Sequence, residues 1–423
     1  MGMSKYRDIA ERINYALFLA VVFLLPFPQL PLRYAYVLWL VSWLFEARWL
    51  KIQNLKSQIS NLKSLIPFLL FALWYAWRLL SGLWAADTAA WAAQMERYLS
   101  FAVILPLALW GLNERYDRQQ IGRVWVYGCL AALVYYPALL TVFYVHPQWI
   151  VASPWAPSWD YSASEWLPFY QNNISVFKHR LYLCSVEVMG MVMAMLVWRQ
   201  RRALWLTLLA LMTGGCILTG SRQIILTLAI LAAVALILYL PQRQRRLYGT
   251  VILLLSLALG IGVLSLQPRM YGFNIHYESR TLIWKQAVNQ PSDYCLTGLG
   301  AGQSGAYLKE RYRETGSEEF LLKAYNAHNQ YLEEWMELGV FGLLLFLCAW
   351  LSIPICANEK GRRTAVLFML LFMLNMCTEC MFGIFCGVAL WAVGMTFLFL
   401  ASHAEGEQVV HTEIPNHHAS DSD

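Results

Sequence analysis

The sequence predicts an all-α polytopic membrane protein of about 12 transmembrane helices, and three observations carry that prediction. Hydrophobic residues make up 59% of the 423 and charged residues only 14%, with a mean hydropathy of +0.45. Soluble domains carry about 25% charged residues, so a water-exposed globular class is excluded. Apolar runs long enough to cross a bilayer, about 17–25 residues, recur along the whole chain. Lysines and arginines collect in every other loop, which is the positive-inside pattern.

In chain order the spans are expected near residues 13–31, 34–47, 65–83, 98–112, 121–144, 181–198, 203–219, 223–240, 248–266, 335–357, 364–382 and 384–401. Pro26, Pro28 and Pro31 blur the end of the first. Lys5, Arg7 and Arg12 precede it, and Arg48, Lys51, Lys56 and Lys63 follow the second. Arg115, Arg118 and Arg123 follow the fourth, and Arg199, Arg201 and Arg202 the sixth. Arg243, Arg245 and Arg246 follow the eighth, and Lys360, Arg362 and Arg363 the tenth. The opposite short loops hold only isolated Arg33, Arg97 and Arg222. This alternation fits an even number of spans with both termini cytoplasmic. It also accounts for the net charge of +6 without a nucleic-acid partner. The first span lacks a small-residue cleavage site and more spans follow it, so it does not read as a removable signal.

A single membrane domain is expected over residues 1–401, with a large polar outer loop at 267–334 and a polar, disordered cytoplasmic tail at 402–423. His403, His411, His417 and His418 show no metal-ligand spacing. On the outer side, residues 82–99 suit a helix lying at the interface, and 145–180, rich in Trp, Pro and Tyr, suit an aromatic belt with turns. On the inner side, Ile52-Gln-Asn-Leu-Lys-Ser-Gln and Ile59-Ser-Asn-Leu-Lys-Ser-Leu repeat a seven-residue pattern that predicts a surface-lying helix. Of the nine cysteines only Cys295 lies in the long loop. The rest fall in or at the ends of spans and read as buried, inert thiols, including Cys377-Thr-Glu-Cys380, which is placed in an apolar helix.

Four places carry candidate chemistry, each with a structural alternative. Arg222 follows Thr219-Gly220-Ser221 in a tight turn between two spans. An arginine at that depth needs an anion or a wet cavity, unless it snorkels at a helix end. Arg280 opens an amphipathic stretch with Trp284, followed by Gly298-Leu-Gly300-Ala-Gly302. These glycines would let backbone amides approach a ligand, while Arg280 alone could equally be a solvated charge. His328 stands at the start of the tenth span, where imidazole, with an unperturbed pKa of about 6.5, suits a general base or a structural contact. Glu379 is placed inside the eleventh span beside Asn375, where a carboxylate is either functional or half of a structural pair.

Taken together, these segments resemble the O-antigen ligase and polymerase superfamily. The resemblance rests on an ordered set: Gly220-Ser221-Arg222, Arg280-Thr-Leu-Ile-Trp284, Gly298-Leu-Gly300, and His328-Asn329-Gln330-Tyr331-Leu332 leading to Glu337-Leu-Gly339-Val-Phe-Gly342. It covers about residues 215–382, with His179-Arg180-Leu-Tyr182 and Glu379 as further matching positions. It implies a glycosyltransferase-C-like membrane fold in the bacterial inner membrane, with the active site facing the periplasm. It also implies transfer of a glycan from an undecaprenyl-diphosphate carrier to a hydroxyl acceptor, inverting and independent of metal or other cofactor. His328, Arg280 and Arg222 are implied as catalytic, and Arg180, Asn329, Tyr331, Glu379 and Trp284 as substrate-binding.

The chemistry suits these residue types. A departing diphosphate needs fixed cations, and the guanidinium fork binds phosphate oxygens in pairs. No Asp-x-Asp pair stands in the outer loops to hold a divalent metal. Lipid A–core is the favoured acceptor, which makes the chain an O-antigen ligase. A second carrier-linked glycan (polymerase) or a protein (O-oligosaccharyltransferase) remains the alternative within the superfamily. From another class, a secondary transporter would show repeated halves and a broken central helix, which are not visible here. A flippase for lipid-linked sugars would share the arginines but have no use for His328.

Overall fold

A computed structural model describes residues 2–47, 62–110, 112–147, 149, 164–266, 279–323 and 325–403. Most of the seven-residue repeat, the opening of the long loop at 267–278 and the tail beyond 403 lie outside the described residues. Every regular element among the described residues is helical. The helices begin with α1 (Gly2–Leu24), α2 (Gln29–Ala47), α3 (Leu62–Leu80), α4 (Thr88–Tyr98), α5 (Ser100–Trp110) and α6 (Arg118–Val145). They continue with α7 (Trp166–Phe177), α8 (Arg180–Val197), α9 (Arg202–Leu218), α10 (Arg222–Tyr239) and α11 (Gln242–Ser265). Three short helices of the long loop follow: α12 (Ser279–Ala287), α13 (Ser304–Glu314) and α14 (Glu318–Lys323). The chain closes with α15 (Gln330–Cys356), α16 (Glu359–Met376) and α17 (Phe385–His403).

Among the described residues, five stretches are long and apolar enough to cross a membrane by length and composition: 63–83, 118–145, 180–197, 222–239 and 330–356. Three more, at 202–218, 247–263 and 385–400, are apolar but shorter. The chain is therefore a multi-pass membrane protein. Each expected span overlaps a helix, the fourth with only the 11 residues of α5. Helix starts follow local chemistry. Asp87 caps α4, Asp117 caps α6 and Asn329 caps α15, each accepting two backbone N–H bonds that the first turn leaves unpaired.

Helix ends that the charge alternation assigns to one side meet one another. On the basic side, Asp8 of α1 pairs with Arg115, and Asn14 and Trp39 both bond the Tyr116 hydroxyl. On the opposite side, the last turn of α3 meets the first turn of α15, and the starts of α8 and α10 meet the end of α16. The core between them is aromatic, with Trp39, Trp74, Trp125, Trp350 and Trp391 fully buried.

One expectation is corrected here. The eleventh helix does not run to 382 but stops at Met376, and residues 377–384 form a turn before α17. Glu379 and both cysteines of the 377–380 pair therefore lie in a turn, not in an apolar helix. The physical reason is that side chains from other elements take the carbonyls near the end of α16. The Tyr331 hydroxyl donates to Met373 O at 2.8 Å, Gln223 to Leu374 O at 2.7 Å and Asn329 to Cys377 O at 3.1 Å. Continuation of the helix is not needed to satisfy them.

Candidate functional site

The turn at 377–384 is the centre on which the predicted residues converge. Arg280, in the first turn of α12, donates from Nε to the Thr378 carbonyl at 2.9 Å. Asn329 grips Cys377 as above, the Tyr182 hydroxyl donates to Cys380 O at 3.0 Å, and Arg97 donates to Gly383 O at 2.7 Å. The Phe382 N–H donates to the Gln330 side chain at 3.0 Å. Four helices and one N-cap thus fix a short polar loop from all sides.

Within that loop Glu379 faces two imidazoles. Its Oε1 lies 3.3 Å from His328 Nδ1 and also accepts the Cys380 N–H at 3.3 Å. Its Oε2 lies 3.9 Å from His179 Nε2 and has no hydrogen-bond donor among the described residues. Burial pushes the Glu379 carboxyl up, but the hydrogen bond from His328 and the nearby His179, His328 and Arg280 outweigh it and hold it below the usual carboxylate range. Burial lowers His179 below its ordinary value. Arg280 and His328 add to this, and Glu379 only partly opposes it. At neutral pH the cluster therefore holds an ionised carboxylate and a neutral His179.

His328 is the one non-glycine residue among those described with a positive φ, at 44°. Left-handed backbone is uncommon outside glycine and persists where the surroundings over-determine it. Here the His328 N–H is taken by Asn326 Oδ1 at 3.0 Å, and Asn329 immediately caps α15. The imidazole is thereby thrown out of the helix line towards Glu379, edge-on to Tyr325. A carboxylate on Nδ1 keeps the proton there and leaves the Nε2 lone pair to accept one.

Arg222 and Arg180 border the same region. Gly220, at φ 64°, packs where a Cβ would press on Gln171. Gln171 donates to Leu218 O and accepts from Arg180 Nη1 at 3.2 Å through its carbonyl. Arg222 opens α10 next to Gln223, the residue that holds Leu374 O, and Arg180 adjoins His179.

Residues 207–347 match the model of the O-antigen ligase family. That stretch of the chain is similar to the O-antigen ligase family. The match covers 141 of the 423 residues and contains Arg222, Arg280 and His328 but not His179 or Glu379. It supports a membrane glycosyltransferase of the O-antigen ligase and polymerase type, with a lipid-linked glycan donor and a glycan acceptor in the membrane. Together with the apolar helices it points to the bacterial inner membrane. No curated protein matches the chain.

Several residues of the matched segment are held in structural contacts. Asn329 spends both amide atoms on the α15 cap and on Cys377, Tyr331 holds Met373, and Trp284 donates to Ala327 O at 3.0 Å. All three position the loop and His328. The Gly298–Gly302 amides are not all offered to a ligand. Leu299 and Gly300 donate to Met336 O and Glu337 O at 2.8 and 2.9 Å. Those carbonyls are freed because α15 is kinked at Gly339, whose φ is 68° and ψ −173°. A Cβ at Gly339 would stand 2.0 Å from Leu296 O, and one at Gly298 2.2 Å from Glu337 O, so only glycine permits this contact.

Sequence reasoning missed the layer beneath the site. Arg78 of α3, fully buried, donates to Glu334 at 2.6 Å and Glu337 at 2.7 Å, and lies over the rings of Trp74 and Tyr98. Gln94 and Ser304 also donate to Glu337, and Gln330 donates to Glu334 at 2.8 Å. Lys178, buried beside His179, donates to Leu25 O and Phe27 O just past the end of α1. An arginine inside an apolar run and paired glutamates at a span start were the available signal.

Proposed function

We propose that this protein is an inverting membrane glycosyltransferase that moves a glycan from a polyprenyl diphosphate carrier, undecaprenyl diphosphate, to a hydroxyl on lipid A–core. The observation that carries the proposal is Glu379 held 3.3 Å from His328 Nδ1 on a loop that Arg280 also grips. His328 Nε2 takes the proton of the acceptor hydroxyl as its oxygen attacks the anomeric carbon. Glu379 keeps the imidazole in the right tautomer and offsets its new positive charge. The bond to the carrier phosphate breaks on the opposite face, so configuration inverts and the diphosphate departs with the bonding electrons. Arg280, Arg222 and Arg180 neutralise that charge, so the reacting centre needs no divalent ion.

The site lies on the outer, periplasmic side and both termini are cytoplasmic, within a bundle of about 12 spans. The loop-charge alternation supports this. The acceptor decides between ligase, polymerase and protein glycosyltransferase. The test is a proteoliposome assay with lipid-linked glycan and, in parallel, lipid A–core or a second lipid-linked glycan. Extension of lipid A–core alone supports the ligase assignment. Extension of the carrier-linked glycan alone assigns a polymerase, and no transfer to either overturns both.

A further inference from the structure

A second cluster of chemically active side chains lies away from the Glu379 loop, between α8 and α9. Cys184 and Glu187 are three residues apart on α8. Cys216 and Thr219, also three apart, stand at the end of α9. That spacing puts each pair on one face of its helix, and the two faces meet. Cys184, Glu187 and Cys216 are all buried, and their donor atoms lie within 4.8 Å of one another. Cys216 Sγ stands 3.1 Å from Glu187 Oε2, and Cys184 Sγ 3.3 Å from Thr219 Oγ1.

We propose that Cys184, Glu187 and Cys216 hold a thiophilic divalent cation, with zinc the best match. Two sulfurs and one carboxylate oxygen are a zinc donor set. Zinc bonds of about 2.3 Å to sulfur and 2.0–2.2 Å to oxygen place tetrahedral donors about 3.5–3.8 Å apart. The donor atoms, within 4.8 Å of one another, would have to draw together by at most about 1 Å to reach that size. Thr219 donates its own proton to Cys216 O at 2.8 Å, so its lone pairs face Cys184 and remain available to complete the shell.

An independent observation concerns Glu187. It sits in a membrane-spanning helix, 1% exposed, and its one hydrogen-bond donor among the described residues is the weak Cys216 thiol. A carboxylate at membrane depth calls for a cation or a proton. The ion binds as both thiols release their protons to solvent, and it undergoes no redox change. Its place is structural. It would tie the start of α8, which follows His179 and begins at Arg180, to the end of α9, which leads into the Gly220–Arg222 turn.

The test uses full-length protein in detergent, reduced, stripped with chelator and titrated with Co²⁺. The expected result is a thiolate-to-cobalt charge-transfer band that saturates at one ion per chain and is displaced by Zn²⁺. The band should be lost in Cys184→Ser and Cys216→Ser, and Glu187→Gln should weaken binding by about tenfold or more. Histidines near the C-terminus give no such band, so they do not confuse the readout. Absence of the band in monodisperse wild-type protein overturns the proposal, as does a band that survives both serine variants. The wild-type titration decides even where a variant fails to fold, and it needs no transfer assay.

Discussion

Glu379 shows how one side chain changes meaning with its surroundings. Its depressed pKa gives a sign that can be worked out. The folded state holds the proton more weakly than the unfolded chain, so the stabilisation is complete above the unfolded value and is lost as pH falls through the folded one. The stabilisation carried by the Glu379 charge should therefore be intact at neutral pH and lost only below about pH 5, seen as a stability difference between wild type and Glu379→Gln that shrinks in acid. A difference that does not shrink below that point contradicts an ionised Glu379. Arg280 is expected to tolerate no lysine. An ammonium cannot both hold Thr378 O and present a planar fork to phosphate. Arg280→Lys should slow transfer by about tenfold to a hundredfold, the worth of one charge-assisted hydrogen bond. Wild-type kinetics in that variant would remove the clamp. Both residues could be picked out in the sequence, but the contact between His328 and Glu379 could not, because it joins positions 51 apart.

At the scale of elements, the start of α15 and the 377–384 turn act as one unit. Gln330 joins them, since it accepts from Phe382 N and donates to Glu334 while fully buried. Gln330→Leu fills the same volume but cuts both bonds. It should lower the maximal transfer rate while leaving donor affinity near wild type, because the loop that carries Glu379 loses its tether. Equal losses in both parameters would mean general unfolding instead. Helix existence was legible from apolar runs and loop charge. The end of α16 was not, because its apolar run continues through Met381 and Phe382. What stops the helix is the set of donors from Tyr331, Gln223, Asn329 and Arg280, each distant in sequence. The glycines of 298–302 were visible as turn formers. Their partner, the Gly339 kink, was hidden inside what reads as a continuous span.

Over the whole molecule, the bundle brings together helix ends from widely separated segments, and Arg78 ties the layer beneath the site. It joins α3 to α15 across 256 residues of sequence, which is why composition alone could not pair it. Removing one partner of a buried ion pair leaves charges uncompensated and costs about 3–5 kcal/mol. Arg78→Met should lower the thermal unfolding midpoint in detergent to match. A midpoint equal to wild type would show that the Glu334–Glu337 pair does not need the guanidinium. The central claim is that this convergence places a proton acceptor, His328, beside a bound lipid-linked glycan. Its most direct test is the single-turnover transfer rate of His328→Ala in proteoliposomes, with donor binding measured alongside. A fall of about 10²–10⁴-fold with donor affinity preserved is the expected result. Transfer at the wild-type rate would contradict it.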